Sequence, residues 1–455
     1  MSCRLGLSIG ESFAELQSFS ADGSKSVFQS RWYLPKKALA DGLREALKSL
    51  EADEFELRVA TRTAERAISR GLGKSPALLV TSGFERWLEL QQPLTSPLFS
   101  PKGTRAPLKA PSDFIFPISA RVGADGSEVA PLTTEDLEFL AAKFELMKVK
   151  VVAIALLNAT KNPEHENRAA SYLRDKGFRV VTSHSLNVSR EADRWRETLE
   201  VAYAESTVSE ERTQIDEMIA ALPGTWTPKI WTREGLKDWS SFEASQTRGG
   251  LERALQAQAS STLIFHFGLD HFGLFHGDRA ETLASGATQL VRHGLWPFPH
   301  FSEENSGYEP GPMLFGKSHQ LAAVDILHLG ERLQEVEGFT PLISEKSRAR
   351  ILETLFTLAK APTNDDRRRP PDAREIARDL EQAFVERIAS EILMTGEKKS
   401  VTITGAFAPS LQPLLKSRLP KTMKIEFSKE RAPWFESAAI ADTIATSNLK
   451  SGAKA

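Results

Sequence analysis

One local pattern occurs twice in this chain, and it constrains the fold more than any other feature. It is Arg4-Leu-Gly-Leu-Ser-Ile-Gly-Glu-Ser-Phe-Ala-Glu-Leu16 near the start and Thr262-Leu-Ile-Phe-His-Phe-Gly-Leu-Asp-His-Phe-Gly-Leu274 in the middle. Each is an apolar run, a glycine turn and a second apolar run, which reads as a strand, a tight turn and a strand. Turns of this kind offer backbone N–H groups to phosphate oxygens, and a neighbouring acid handles a metal ion or its waters. Gly10, Glu11 and Ser12 at the first turn, with Gly268 and Leu269 at the second, are the candidate nucleotide contacts.

Around these hairpins, helical and strand patterns alternate, as in an α/β protein. Helical spacing covers 36–50, and strand and helix candidates alternate from 56 to 90. Residues 91–132, punctuated by Pro93, Pro97, Pro101, Pro107, Pro111 and Pro117, read as an irregular arm packed over the surface, anchored by Phe114, Phe116 and Ile118. The near-continuous apolar run 149–157 predicts a central strand buried on both faces. Helices are expected at 163–176 and 190–222, the second ended by Pro223-Gly224. Residues 225–260 give a weak signal. Ile376, Leu380, Phe384, Ile388 and Ile392 recur every four residues and predict a helix over 372–395, with Gly396 as its cap. The expected domains are 1–190, a helical connection 191–260, a second lobe 261–446 and a frayed tail 447–455.

Composition narrows the function classes. A formal net charge of −2 gives no reason to expect nucleic acid or an anionic membrane as partner. Cys3 is the only cysteine, which leaves no disulfide or cysteine metal cluster. No signal peptide is evident, and no apolar run approaches the roughly 20 residues of a membrane helix, so a cytoplasmic protein is expected. His266, Asp270, His271 and His276 lie close in sequence, but side chains of a strand–turn–strand diverge, so no metal site is expected there. Glu11 and Glu15 read as the solvated face of a hairpin. Walker-type loops, Gly-x-Ser-x-Gly and His-Glu-x-x-His are absent.

In order along the chain, several segments resemble the hydantoinase A/5-oxoprolinase family. The first hairpin resembles its Asp-Ile-Gly-Gly-Thr-Phe-Thr-Asp, and Thr81-Ser-Gly-Phe-Glu-Arg-Trp-Leu-Glu-Leu90 its Thr-x-Gly-Phe-x-Asp-x-Leu-x-Ile. Asn162-Pro-Glu-His-Glu166, Glu191-Ala-Asp-Arg194 and Ala202-Tyr203 follow in the family's order. Glu309-Pro-Gly-Pro312, Asp325 and Thr404-Gly-Ala-Phe-Ala-Pro409 complete the set. The resemblance implies a two-lobed actin-like, ribonuclease H-like ATPase fold, with mixed sheets flanked by helices. It further implies ATP and magnesium as cofactors, ATP-dependent opening of cyclic amides or a related carboxylation, and a hydantoinase B-type partner subunit or a homo-oligomer.

Departures fall where the chemistry would sit. Ser8 and His266 stand where the family has the aspartate before each turn, and Glu11 and Leu269 where it has the second glycine. The family's further C-terminal region is not seen after the Gly405 segment. A side chain at those glycine positions intrudes where phosphate approaches. Phosphoryl transfer depends on positioning and charge neutralisation. The expectation is a divergent member with its ATPase lost or reduced, acting as a scaffold or regulatory subunit. The alternative is an active ATP-dependent cyclic-amide hydrolase, with Asp270, Glu309 and Asp325 as acids and Gly405 at the nucleotide.

Overall fold

The computed structural model describes residues 2–10, 13–20, 26–34, 37–48, 53–91, 94–95, 104–105, 108–240, 242–259, 263–269, 271–276, 279–285, 323–332, 345–359, 373–397, 399–429 and 431–441. The chain divides into two compact units. The first comprises 1–62, 215–242 and 246–455, and the second comprises 63–214 with 243–245. Both hairpins belong to the first unit.

The first unit opens with β1 (Ser2–Ile9), β2 (Phe13–Phe19) and β3 (Ser26–Tyr33), an antiparallel meander. After α1 (Leu39–Leu47), β4 (Glu54–Thr61) pairs parallel to β1. The chain then builds the second unit: α2 (Thr63–Arg70), β5 (Ala77–Thr81), β6 (Ile115–Ile118), α3 (Thr134–Leu146), β7 (Val151–Ala155), α4 (Glu164–Asp175), β8 (Arg179–Thr182) and the long α5 (Glu191–Ala220). Its sheet runs β8-β7-β5-β6 and every pairing is parallel. All five residues of β7 are buried, as a strand covered on both faces requires. Segment Ile115–Ile118, expected to be irregular, is an edge strand of this sheet. Pro117 is tolerated there because an edge strand has a free N–H side. Its neighbours Phe116 and Ile118 are the buried anchors.

From Ile215 onward α5 belongs to the first unit, where Ile215 and Met218 join the apolar cluster beneath the first sheet. Next come β9 (Thr225–Thr232), which pairs parallel to β4, β10 (Gly235–Asp238) and α6 (Gly250–Ala257). The second hairpin is β11 (Leu263–Phe267) and β12 (His271–His276), followed by β13 (Arg279–Ser285). Beyond lie α7 (Ala323–Leu329), α8 (Glu345–Ala359), α9 (Ala373–Met394), β14 (Ser400–Thr404), α10 (Ala408–Lys416), β15 (Lys424–Glu426) and α11 (Phe435–Ile440).

The first sheet is ordered β10-β9-β4-β1-β2-β3 and the second β13-β12-β11-β14-β15. Reading from the meander inward, each follows the order third, second, first, fourth, fifth. The first three strands are antiparallel and the next two parallel to the first, and in the first sheet β10 adds a sixth strand antiparallel to β9. The duplicated sequence pattern is therefore the first hairpin of a duplicated sheet, the ribonuclease H-like arrangement, with helices against the sheets. The second sheet's core gathers Phe265, Phe267, Ile403 and Leu411 with Leu380, Phe384, Ile388 and Ile392 of α9, the four-residue stripe seen in the sequence.

Candidate functional site

Strand register places three polar residues in one row across the first sheet. Ser8 faces Glu15, and Glu15 faces Arg31. Directly opposed side chains lie on the same face. All three are buried. Helix α11 and the turn before it cover that face. Gly6 makes the approach possible, because a Cβ there would lie 1.9 Å from the Ser437 carbonyl oxygen. Each member of the row then meets the segment from Pro433 to Ser437. The Ser8 hydroxyl donates to Glu436 Oε1. Ser437 donates its backbone N–H to Glu15 Oε1 at 3.0 Å and its hydroxyl at 2.6 Å. Arg31 donates Nε to Glu15 at 3.0 Å and Nη2 to the Pro433 carbonyl at 2.7 Å, and stacks 4.2 Å from the Trp434 ring centroid.

Glu15 is thus the centre of a buried ion pair, not the solvated face expected from the sequence. An alternating strand has a wet face only when nothing covers it, and here α11 does. A buried charge is tolerable when paired and hydrogen-bonded, and the Glu15 carboxylate has both.

The second sheet delivers His266 to the same helix. His266 is fully buried on β11, with Nε2 3.2 Å from Glu436 Oε2 and Nδ1 3.1 Å from Thr404 Oγ1 on the adjacent strand β14. With Glu436 ionised, Nε2–H is the donor to it, and a neutral imidazole leaves Nδ1 to accept the Thr404 hydroxyl proton. Ser8 and His266, the two positions preceding the turns, therefore engage the two oxygens of one carboxylate.

The second turn is equally closed around itself. Leu269 is buried in the apolar cluster that also holds Phe267 and, from the first hairpin, Phe13. Gly405 has φ +102°, and a Cβ on it would lie 2.1 Å from the Phe267 carbonyl oxygen and 2.7 Å from the Gly268 nitrogen. Its N–H donates to Ala432 at 2.7 Å, and the Phe407 N–H donates to Phe267 at 3.2 Å. Gly405 is required by close backbone approach and a left-handed conformation together.

Magnesium takes oxygen ligands in near-octahedral geometry and leans on carboxylates and phosphates. A hydroxyl, an imidazole bonded at both nitrogens and a carboxylate engaged at both oxygens do not fit that demand. Among the described residues, no group of three or more His, Cys, Asp or Glu is arranged to hold a metal. What this arrangement does chemically is tie the two sheets to α11 through a hydrogen-bonded carboxylate.

Of the residues expected from the sequence, Gly10 closes the first hairpin by donating to the Phe13 carbonyl at 2.8 Å. Gly268, Leu269 and Gly405 come together at the second turn. Asp325 is fully buried on α7. Glu11, Ser12, Asp270 and Glu309 lie outside the described residues. Sequence reading missed Glu436 and Thr404. Glu436 carries no local signal, since only the fold brings it beside Ser8, 428 positions away. Thr404 was legible as the strand end before Gly405, but not as a partner of His266.

Comparison with known proteins agrees with this fold. Residues 18–177 match the model of the hydantoinase/oxoprolinase N-terminal region. An uncharacterized protein of Methanocaldococcus jannaschii is 26% identical over 221 residues, covering 46% of this chain and 32% of that protein. Caprolactamase subunit alpha of Pseudomonas jessenii is 23% identical over 362 residues, covering 69% of this chain and 52% of that protein. The chain therefore spans between a third and about half of the length of these curated relatives. Among solved structures, the ATP-dependent caprolactamase from Pseudomonas jessenii superposes with TM-score 0.65 at 18% identity, covering 97% of this chain and 70% of that one. Nucleotide-free acetone carboxylase gives 0.64 at 15% identity, covering 96% and 70%. Among the described residues no helix is long and apolar enough to cross a membrane. Residues 18–177 are therefore a region of the hydantoinase/oxoprolinase N-terminal type, and the chain as a whole shares the fold of the caprolactamase and acetone carboxylase structures.

Proposed function

We propose that this chain is a divergent hydantoinase/oxoprolinase-type protein whose ATPase is lost or much reduced, and that it serves as a scaffold or regulatory subunit. The observation that carries this reading is the Glu436 bridge. Where the family's two aspartates would face a metal nucleotide, Ser8 and His266 face one protein carboxylate instead. Burial of Leu269 supports the same reading, since it fills the turn with apolar packing. The relative named as a caprolactamase alpha subunit makes assembly with a hydantoinase B-type partner, or with a second copy, the natural context for such a role. Calorimetry with magnesium and ATP tests the proposal. No heat of binding at micromolar concentrations and no phosphate release are expected, whereas micromolar binding with turnover refutes it.

A second reading is an active ATP-dependent cyclic-amide hydrolase subunit with Asp270, Glu309 and Asp325 as acids. It is favoured by one observation, a fully buried carboxylate at Asp325 on α7, where the family resemblance expects an acid. Phosphate release that persists unchanged in the triple alanine variant rules this version out.

A further inference from the structure

We infer that the second unit carries a separate binding site for a small carboxylate, in a cleft where α4 begins and the β8–α5 connection passes. The cleft has a volume of about 470 Å³ and is lined by Thr160, His184, Ser185, Asn187, Ser189 and Arg194 among others. That volume lies within the range of small-molecule pockets, about 300–1,000 Å³. Two segments singled out in the sequence, Asn162-Pro-Glu-His-Glu166 and Glu191-Ala-Asp-Arg194, meet around it, and the hairpin site uses neither.

The first segment contributes Pro163 to the lining and the second Arg194, while Glu166 lies behind it. Glu166 is completely buried and accepts four hydrogen bonds: from the Leu156 N–H at 2.9 Å, the Ser183 hydroxyl at 2.7 Å, the His184 N–H at 2.9 Å and His184 Nδ1 at 2.7 Å. A carboxylate so fully engaged fixes the His184 ring and its tautomer, as a supporting carboxylate does for functional imidazoles. With Nδ1 donating to Glu166, Nε2 is the nitrogen left for a ligand, an acceptor in the neutral ring and a donor to a carboxylate in the protonated ring.

Arg194 is the only charged side chain in the lining. It is 2% exposed. Nη1 donates to the Val188 carbonyl at 3.0 Å and Nη2 reaches Glu191 Oε1 at 3.4 Å, an oxygen that also accepts the Asn158 N–H at 2.6 Å. Its Nε–H is buried without a partner among the described residues. Buried guanidinium donors are normally satisfied, and a planar carboxylate is the ligand their geometry matches. Thr160, Asn187 and Ser189 supply further donors at the rim, and no acidic side chain lines the cleft to repel an anion.

This site does not depend on whether the ATPase is lost, and its test needs no nucleotide. The full chain is titrated calorimetrically with acetate, succinate, L-glutamate and, as a separate arm, inorganic phosphate. Saturable binding of at least one carboxylate is expected. His184→Gln, at a partly exposed position, weakens it about tenfold, with the native fold of the variant checked by circular dichroism. Arg194→Lys weakens it by at least as much, because an ammonium does not reproduce the planar fork. Binding that is unchanged in both variants overturns the site. So does the absence of saturable binding by any carboxylate at millimolar concentration. Phosphate bound more tightly than every carboxylate overturns the ligand class.

Discussion

Ser8 and His266, each on the first strand of its own sheet, hydrogen-bond to opposite oxygens of the same Glu436 carboxylate. That relationship predicts what removal of the carboxylate does. Glu436→Ala leaves a fully buried imidazole and a buried hydroxyl without their shared acceptor, and should destabilise the chain by about 1–3 kcal/mol. Glu436→Gln keeps an acceptor for one of the two and should lose less. Urea unfolding of both variants, compared at one pH, checks the order.

Restoring an acid at the first turn should be harmful at neutral pH. Ser8→Asp places a second carboxylate against Glu436 in a buried setting, so one of the pair is forced to a raised pKa. An acid whose folded-state pKa is raised loses stability as pH rises through the window between its unfolded and folded values. Melting of Ser8→Asp should therefore recover toward the parent on acidification. A variant as stable as the parent at neutral pH contradicts this account of the bridge.

Glu205 gives an independent pH signature in the second unit. Burial raises its pKa above the ordinary carboxylate value, more than Arg179, 4.0 Å away, and the Ser209 hydroxyl at 3.2 Å lower it, with Glu243 adding to the rise. The protonated form is favoured by folding, so its contribution is present below the unfolded pKa and declines as pH rises through the raised value. Glu205→Gln should flatten that slope and melt at least as high as the parent at neutral pH.

The ion pair under α11 is the most sensitive to truncation. Glu15→Ala removes from Arg31, itself almost fully buried, the carboxylate that pairs with it at Nε and Nη2. Loss of one partner of a buried pair typically costs about 3–5 kcal/mol. The double change of Glu15 and Arg31 to apolar residues should recover part of that loss, measurable as a coupling energy in a double-mutant cycle.

Two glycines with similar backbone angles separate conformational strain from steric collision. Gly396 has φ +79° and open space where a Cβ would stand. Gly396→Ala should cost about 1 kcal/mol, the left-handed penalty alone. Gly405→Ala adds a collision with the Phe267 carbonyl, and should exceed it by at least about 1 kcal/mol. Equal losses at the two sites contradict the packing at the second turn.

How much of this was legible follows from where each signal resides. β7 and α9 were readable because burial on both faces, or on one stripe, writes itself into consecutive residues. β9 was not: polar residues alternate with Trp226 and Ile230, and Pro228 interrupts the run, although Trp226 stacks on Phe55 with centroids 4.3 Å apart. β6 was obscured by Pro117, which only an edge position accommodates. The hairpins were legible as local patterns. The polar row on the first sheet was not, because Glu15 looks like any exposed strand acid until α11 is laid over it. The place of His184 was hidden for the same reason, since Glu166 binds residues from two separate segments, Leu156 and Ser183–His184.

Gly6 was described as the gap that lets α11 lie on β1, and the timing of that docking follows from chain order. Ser8 and its partner Glu436 are 428 positions apart. At elongation rates of about 5–20 residues per second, the first sheet waits on the order of 20 to 90 s for its cover. Through that interval Glu15 and Arg31 stand on an uncovered sheet face, and the nascent chain carries its future interior pair in water. Completion of the native first unit is therefore a late event, governed by arrival of the segment from Pro433 to Ser437.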